Sequence, residues 1–264
     1  MSTDRPPGVR SAGAESAVLL DVSDGVAQVV LNRPAQGNTL DVDMAHRLGA
    51  VFSEIADDPA VRVVLLSGNG RFFCAGGDLA AMAAASDRAA FVHELAVAAH
   101  GAVQLLAALE KPVVAAVQGA AAGAGLSLVL LSDLVVASST ASFVTAYTSV
   151  GLTPDCGQSW LLPRAVGISR ALDLTLTSPR LSAAQAHALG LVSRVVEPNS
   201  LTAEAEALAR RLAQGPVSLG PARALIRDGY AEGFREHLAR EAAAISRAAG
   251  AVETGALIEA FLAR

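Results

Sequence analysis

Three short segments of this 264-residue chain carry residue types and spacings suited to chemistry: FCAGGDL at Phe73–Leu79, GAAAGAG at Gly119–Gly125, and a PDCG turn at Pro154–Gly157. Each glycine-rich turn follows an apolar run that reads as a strand, so each can present a free backbone N–H where the chain leaves that strand. Two such donors converging on one carbonyl oxygen form an oxyanion hole, and Asp155 would then be the acid/base beside it. In the first turn the expected donor is the Gly77 amide. In the second, Ala124 or Gly125 opens an apolar helix, where the first N–H groups lack intrahelical acceptors and the dipole adds partial positive charge. Plain structural readings compete at each place. Asp78 suits a helix cap, the small residues of the second turn suit close helix–strand packing, and Asp155 suits an N-cap before Gly157–Leu162. The second turn is not a dinucleotide fingerprint, because the GxGxxG order is absent.

Other reactive side chains offer less. His46, His93, His187 and His237 are scattered over predicted helices with no metal-ligand spacing, and a lone helical histidine such as His100 reads as a surface or core residue. Cys156 adjoins Asp155 but has no histidine beside it in sequence. With no CxxC spacing, Cys74 and Cys156 read as free thiols of a reducing, cytoplasmic compartment. Arg164 and Arg170 are expected in structural or interface ion pairs, and Arg210-Arg211 on a solvated helix face.

The elements that must position the three segments are legible as periodicity. Val18–Asp21 and Val26–Leu31 bracket a Ser-Asp-Gly hairpin signal. Helical spacing spans Leu40–Ala56 and Arg88–Leu109, and strands are predicted at Val61–Ser67 and Val113–Val117. A buried helix over Gly123–Leu131 leads to a strand at Leu134–Ala137, and a short strand at Val192–Val196 interrupts an otherwise helical second half. Strands alternating with helices make an α/β fold. The division expected is a loose N-terminal tail over 1–16, a core over 17–200 holding the site, and an oligomerising region of three or four helices over 201–264. The unbroken apolar run Val113–Ala137 reads as strand, turn, helix and strand and not as a membrane span, since small residues and Asp133 interrupt it and no Trp or Tyr belt flanks it. At 52% hydrophobic residues, such a surface is expected to be covered by further copies of the chain. A net charge of −5 argues against a nucleic-acid partner.

In order and spacing, FCAGGDL, KPVVAAVQGAAAGAG, SDLVVAS, GLTPDCGQSWLLPRAVG and LSAAQAHALGLVSRVV resemble the enoyl-CoA hydratase/isomerase (crotonase) family over nearly the whole chain. The resemblance implies a spiral of ββα units with a C-terminal helical trimerisation region, assembled as a homotrimer or hexamer. It implies an acyl-CoA thioester substrate, with coenzyme A part of that substrate and no separate cofactor. It also places the two oxyanion amides on Gly77 and Ala124, and a substrate-binding wall on Gly77, Asp78, Leu79, Ala80, Ala124, Ser127 and Tyr147.

The reaction depends on side chains that vary within that family. Hydratases carry two glutamates, at the places held here by Ser127 and Tyr147, so hydration of a double bond lacks its acid/base pair. Asp155 resembles the acid/base of the ring-1,2-epoxyphenylacetyl-CoA isomerase branch, and WLLPR at Trp160–Arg164 agrees with that branch. The expectation is a 2-/3-enoyl-CoA isomerase working through a thioester enolate, with Asp155 moving the proton. The alternatives are an enoyl-CoA hydratase, a hydrolase like 4-chlorobenzoyl-CoA dehalogenase, with which His100 and the aromatic at Tyr147 would agree, and a non-catalytic acyl-CoA binder.

Overall fold

The computed structural model describes residues 16–263, so nearly all of the expected N-terminal tail lies outside the described residues. A hairpin opens the fold: β1 (Val18–Ser23) and β2 (Val26–Leu31) are antiparallel, joined by Asp24-Gly25, both at positive φ (50° and 78°). That conformation turns the chain tightly in the sense of the strands' own twist. Helix α1 (Val42–Asp57) follows, capped by Asp41, whose side chain accepts from the Met44 N–H at 2.8 Å. Next come β3 (Val63–Gly68), α2 (Leu79–Ala84), α3 (Arg88–Ala108) and β4 (Val113–Val117). The second glycine turn is itself a short strand, β5 (Ala120–Ala122), which leads into α4 (Ala124–Leu131) and β6 (Leu134–Ser138). The chain continues through β7 (Ser142–Val144), α5 (Gln158–Val166), α6 (Ile168–Thr177), β8 (Leu181–Ser182), α7 (Ala183–Ala188) and β9 (Arg194–Val196). Four helices close it: α8 (Leu201–Ala213), α9 (Leu219–Asp228), α10 (Phe234–Ala249) and α11 (Val252–Leu262).

Two sheets result. A six-stranded sheet runs β1-β2-β3-β4-β6-β9, parallel from β2 onward, and a small sheet runs β5-β7-β8. The parallel strands read as unbroken apolar runs because both faces are covered. On β3, Val64 and Leu66 pack into the larger core with α1, while Val63 and Leu65 face Leu201, Ala205, Leu208 and Ala209 of α8. The expected boundary at 200–201 therefore does not separate α8 from the core, since α8 is the lid over the sheet's second face.

The apolar run Val113–Ala137 is folded as a buried strand, short strand, helix and strand. Its one charge, Asp133, accepts from the Val113 N–H and from Arg223 and Arg227 of α9, each at 2.7 Å. Among the described residues, the helix with the length and apolarity to cross a membrane is α3 instead. It buries Leu95, Ala99, Ala102 and Leu106 in the protein interior. Beyond α8 the apolar side chains turn outward: Ile226, Phe234, Ile245, Val252 and Phe261 are all at least 70% exposed.

Candidate active site

Both glycine-rich turns are built by close backbone approach. The Cys74 amide donates to the Ala120 carbonyl at 3.2 Å, and the Ala122 amide donates back to the Cys74 carbonyl at 2.9 Å. A side chain on Gly125 would put its Cβ 2.2 Å from that same Cys74 oxygen, which no real contact allows. Gly76 (φ 105°) and Gly123 (φ 52°) are left-handed, and a Cβ on Gly76 would press to 3.1 Å from the Ala122 oxygen. Glycine here is therefore required both by conformation and by space.

The direction of the two candidate donors follows from peptide planarity, which points each C=O and the next residue's N–H to opposite sides. The Gly76 carbonyl accepts from the Leu40 amide at 2.8 Å, so the Gly77 N–H faces the other way. The Gly123 carbonyl accepts from the Ser127 amide and from Gln158 Nε2, both at 3.1 Å, and this fixes the Ala124 N–H in turn. Among the described residues neither the Gly77 nor the Ala124 amide donates a hydrogen bond, and both residues line one cavity of about 650 Å³. That is the size of a small-ligand site.

Among the described residues, the cavity's single carboxylate is Asp155. It does not cap a helix: α5 begins at Gln158, with Gly157 at the cap and no side-chain cap bond. The loop around it is held by unusual backbone. Cys156 (φ 50°) and Gly157 (φ 77°) are consecutive left-handed residues, the Cys156 amide donates to His100 Nε2 at 3.2 Å, and the Gln158 amide donates to the Asp155 carbonyl at 2.9 Å. The Tyr147 hydroxyl donates a hydrogen bond to Asp155 Oδ1. Burial first, and then the charge of Asp155, push the Tyr147 phenol far above its ordinary range, so it stays a protonated donor. The same two causes push the Cys156 thiol up, which rules it out as a ready nucleophile. His100, Asp155 and Cys156 bring donor atoms within 4.8 Å of one another and are the residues that would hold a divalent ion, although His100 Nε2 is already engaged.

The remaining walls come from Leu40, Leu79 and Met82, from Val92, Leu95, Ala96 and Ala99 of α3, and from Val150, Leu152 and Thr153. Of the residues expected to bind substrate, Gly77, Leu79, Ala124 and Tyr147 line the cavity, whereas Asp78, Ala80 and Ser127 do not. The Asp78 carboxylate caps α2 through the Ala81 amide at 3.1 Å and pairs with Arg33 at 3.2 Å. Burial alone would raise its pKa, but the Ala81 amide and Arg33 together hold it below the ordinary value. Ala80 is exposed on α2, and Ser127 is buried one turn inside α4. Arg164 makes no ion pair among the described residues and instead stacks over Trp160 at 3.4 Å, while Arg170 does pair, weakly, with Asp173 at 3.8 Å.

Sequence reasoning missed Leu40 and Gln158, which aim the two amides, and the places of Arg88 and His93 in the cavity wall. The Gln158 role had no local signal. A buried polar residue at the start of a helix is visible only once its distant partner is known.

Comparison with known proteins agrees with this arrangement. The model of the enoyl-CoA hydratase/isomerase family matches residues 21–248. The chain is 41% identical over 205 residues to the 1,2-epoxyphenylacetyl-CoA isomerase of Escherichia coli K12, covering 76% of this chain and 77% of that protein. It is 32% identical over 230 residues to 4-chlorobenzoyl coenzyme A dehalogenase-2 of an Arthrobacter species, covering 86% and 82%. The crystal structure of an enoyl-CoA hydratase/isomerase from Cupriavidus metallidurans superposes with a TM-score of 0.87 at 33% identity, over 94% of each chain. With the matching turns, the spiral α/β architecture and the helical C-terminus, these similarities show that the chain belongs to the enoyl-CoA hydratase/isomerase family.

Proposed function

We propose that the protein is an enoyl-CoA isomerase that moves a double bond between the 2- and 3-positions of an acyl-CoA thioester. The Gly77 and Ala124 amides receive the thioester oxygen and stabilise the enolate as negative charge develops on it; one such donor is typically worth about 10²–10³ in turnover. Asp155 takes the proton from one carbon and returns it to the other, so no proton, water or redox equivalent is consumed. Tyr147 holds Asp155 Oδ1 and leaves the second carboxylate oxygen for the substrate. The observation that carries this reading is that, among the described residues, the cavity wall has a single carboxylate, beside two amides that donate no hydrogen bond. Addition of water across the double bond calls for a second acid/base, and the two hydratase glutamate positions hold Ser127 and Tyr147.

The reading extends to an acyl-CoA thioester as the only partner ligand, with no separate cofactor. A homotrimer or hexamer formed through the exposed apolar C-terminal helices and a reducing, cytoplasmic setting for the two free thiols complete it. The decisive test is proton exchange: bound 3-enoyl-CoA in deuterated water takes up deuterium at the α- or γ-carbon as it isomerises. Catalysed hydration of a 2-enoyl-CoA at a rate equal to isomerisation would overturn the assignment.

One observation favours a second reaction. His100 lies against the Asp155–Cys156 peptide, an arrangement in which Asp155 could act as the nucleophile of a hydrolytic dehalogenation with a histidine near the resulting ester. Ala99, where a second aromatic wall would be needed, weighs against it. Chloride release from 4-chlorobenzoyl-CoA separates the two reactions.

A further inference from the structure

We infer that Gln158 is a positioning residue that couples the acid/base loop to the oxyanion turn, so that the aim of the Ala124 amide depends on its side chain. Gln158 is fully buried. Its main-chain N–H donates to the Asp155 carbonyl at 2.9 Å, and its Nε2 donates to the Gly123 carbonyl at 3.1 Å. One residue therefore bonds to both halves of the site, across a sequence separation of 35 residues on the Gly123 side.

The consequence is geometric. The Gly123 carbonyl and the Ala124 N–H belong to one planar peptide unit. Gly123 joins β5 to α4 at positive φ (φ 52°, ψ −120°), and its amide donates to the Val144 carbonyl at 3.1 Å; that bond holds the preceding peptide unit, so the tilt of the Gly123–Ala124 unit is governed by what its oxygen accepts. Ser127 supplies the helical bond along the α4 axis, and Gln158 supplies a second bond from α5. Two donors from different directions leave the plane little freedom to rock. Removing Gln158 leaves one, and the Ala124 N–H gains freedom to swing away from the substrate oxygen. The amide orientation is unambiguous, because only the nitrogen of a carboxamide can face a carbonyl oxygen productively. Gln158 Oε1 has no partner among the described residues, so the side chain is not held there by a bond on its other side.

This inference rests on the oxyanion role proposed for Ala124, and the test keeps the two apart. A conjugated aryl thioester of CoA, such as cinnamoyl-CoA, reports the hydrogen bonding of its carbonyl through its absorption maximum when bound. The wild-type protein should shift that band to longer wavelength. Gln158→Met keeps the side chain's length and burial without the donor. It should lose much of the shift and about tenfold in kcat, with KM and the pH profile nearly unchanged, because the effect falls on developing charge and not on Asp155. Should the Met variant not fold, Gln158→Leu removes the donor with a smaller apolar side chain and is expected to give the same loss. A full wild-type shift that persists in the variant, with kcat intact, overturns the coupling. No shift in the wild type would sink the oxyanion reading itself, and this inference with it.

Discussion

The two halves of the site are built on opposite principles. The glycine-rich turns at 73–79 and 119–125 act through main chain, and their geometry is locked by backbone bonds such as Ala122 N–H to Cys74 O at 2.9 Å. The Asp155 loop acts through one side chain, held by the Tyr147 hydroxyl and, through the neighbouring Cys156 amide, by the His100 ring. On the proposed reading the turns hold a carbonyl through main-chain amides, which exchange of a side chain does not remove. The loop is where substitution can redirect chemistry: this chain carries its carboxylate there, while Ser127 and Tyr147 stand at the two positions expected to hold hydratase glutamates. Proteins named as isomerase and as dehalogenase are both similar to this chain.

The largest effect should come from breaking the loop while leaving the turns intact. Asp155→Asn is expected to lower isomerase turnover by about 10²–10⁴ while the thioester still binds, as read by separate kcat and Kd measurements. The reverse experiment breaks the turns and leaves Asp155 in place. Gly125→Ala forces a Cβ against the Cys74 oxygen and should destabilise the fold by about 3 kcal/mol in a denaturant titration. A stable, active Gly125→Ala protein would show that the tight approach of the two turns does not matter.

Tyr147→Phe sharpens the comparison within the loop. Loss of a hydrogen bond to a charged group costs about 1.5–3 kcal/mol, so kcat should fall by roughly ten- to a hundredfold with the thioester carbonyl still polarised. Unchanged turnover would leave Tyr147 as a wall residue.

The smallest effect concerns Cys74, inside the first turn. Burial first, against a lesser opposing backbone hydrogen bond at Gly76, pushes its thiol from 9.0 up to about 11. The unfolded chain therefore loses this proton before the folded one does. The stability it contributes is fully present below pH 9 and declines as the pH rises through about 11. By pH 10 the loss should be about 1 kcal/mol, and Cys74→Ala should flatten the slope of stability against pH over this window. An unaltered slope would mean that the thiol does not ionise differently on unfolding.

Much of the frame was readable residue by residue. The hairpin at Ser23–Val26, the helix after Asp41 and the strand Val113–Val117 all follow from local patterns of turn residues, caps and apolar runs, and they fall within a residue or two of where they were expected. The short strands Ala120–Ala122, Ser142–Val144 and Leu181–Ser182 were not legible, because their pairing partners lie far away in sequence. The same limit applied to Asp78 and Ser127. Both align with binding positions, yet Arg33 and the Ala81 amide occupy the first, and burial within α4 removes the second from the cavity.

By itself, the sequence determined the strand–helix alternation, the need for glycine where two backbones meet, and the absence of a second carboxylate, because each of these is written in residue type and short-range spacing. Only the tertiary structure decided that Asp155 receives the Tyr147 hydroxyl and caps no helix, that α8 covers the sheet, and that Gln158 reaches Gly123. Those outcomes depend on which distant groups come within hydrogen-bonding distance, and a bond that acts over about 3 Å leaves no trace in local periodicity.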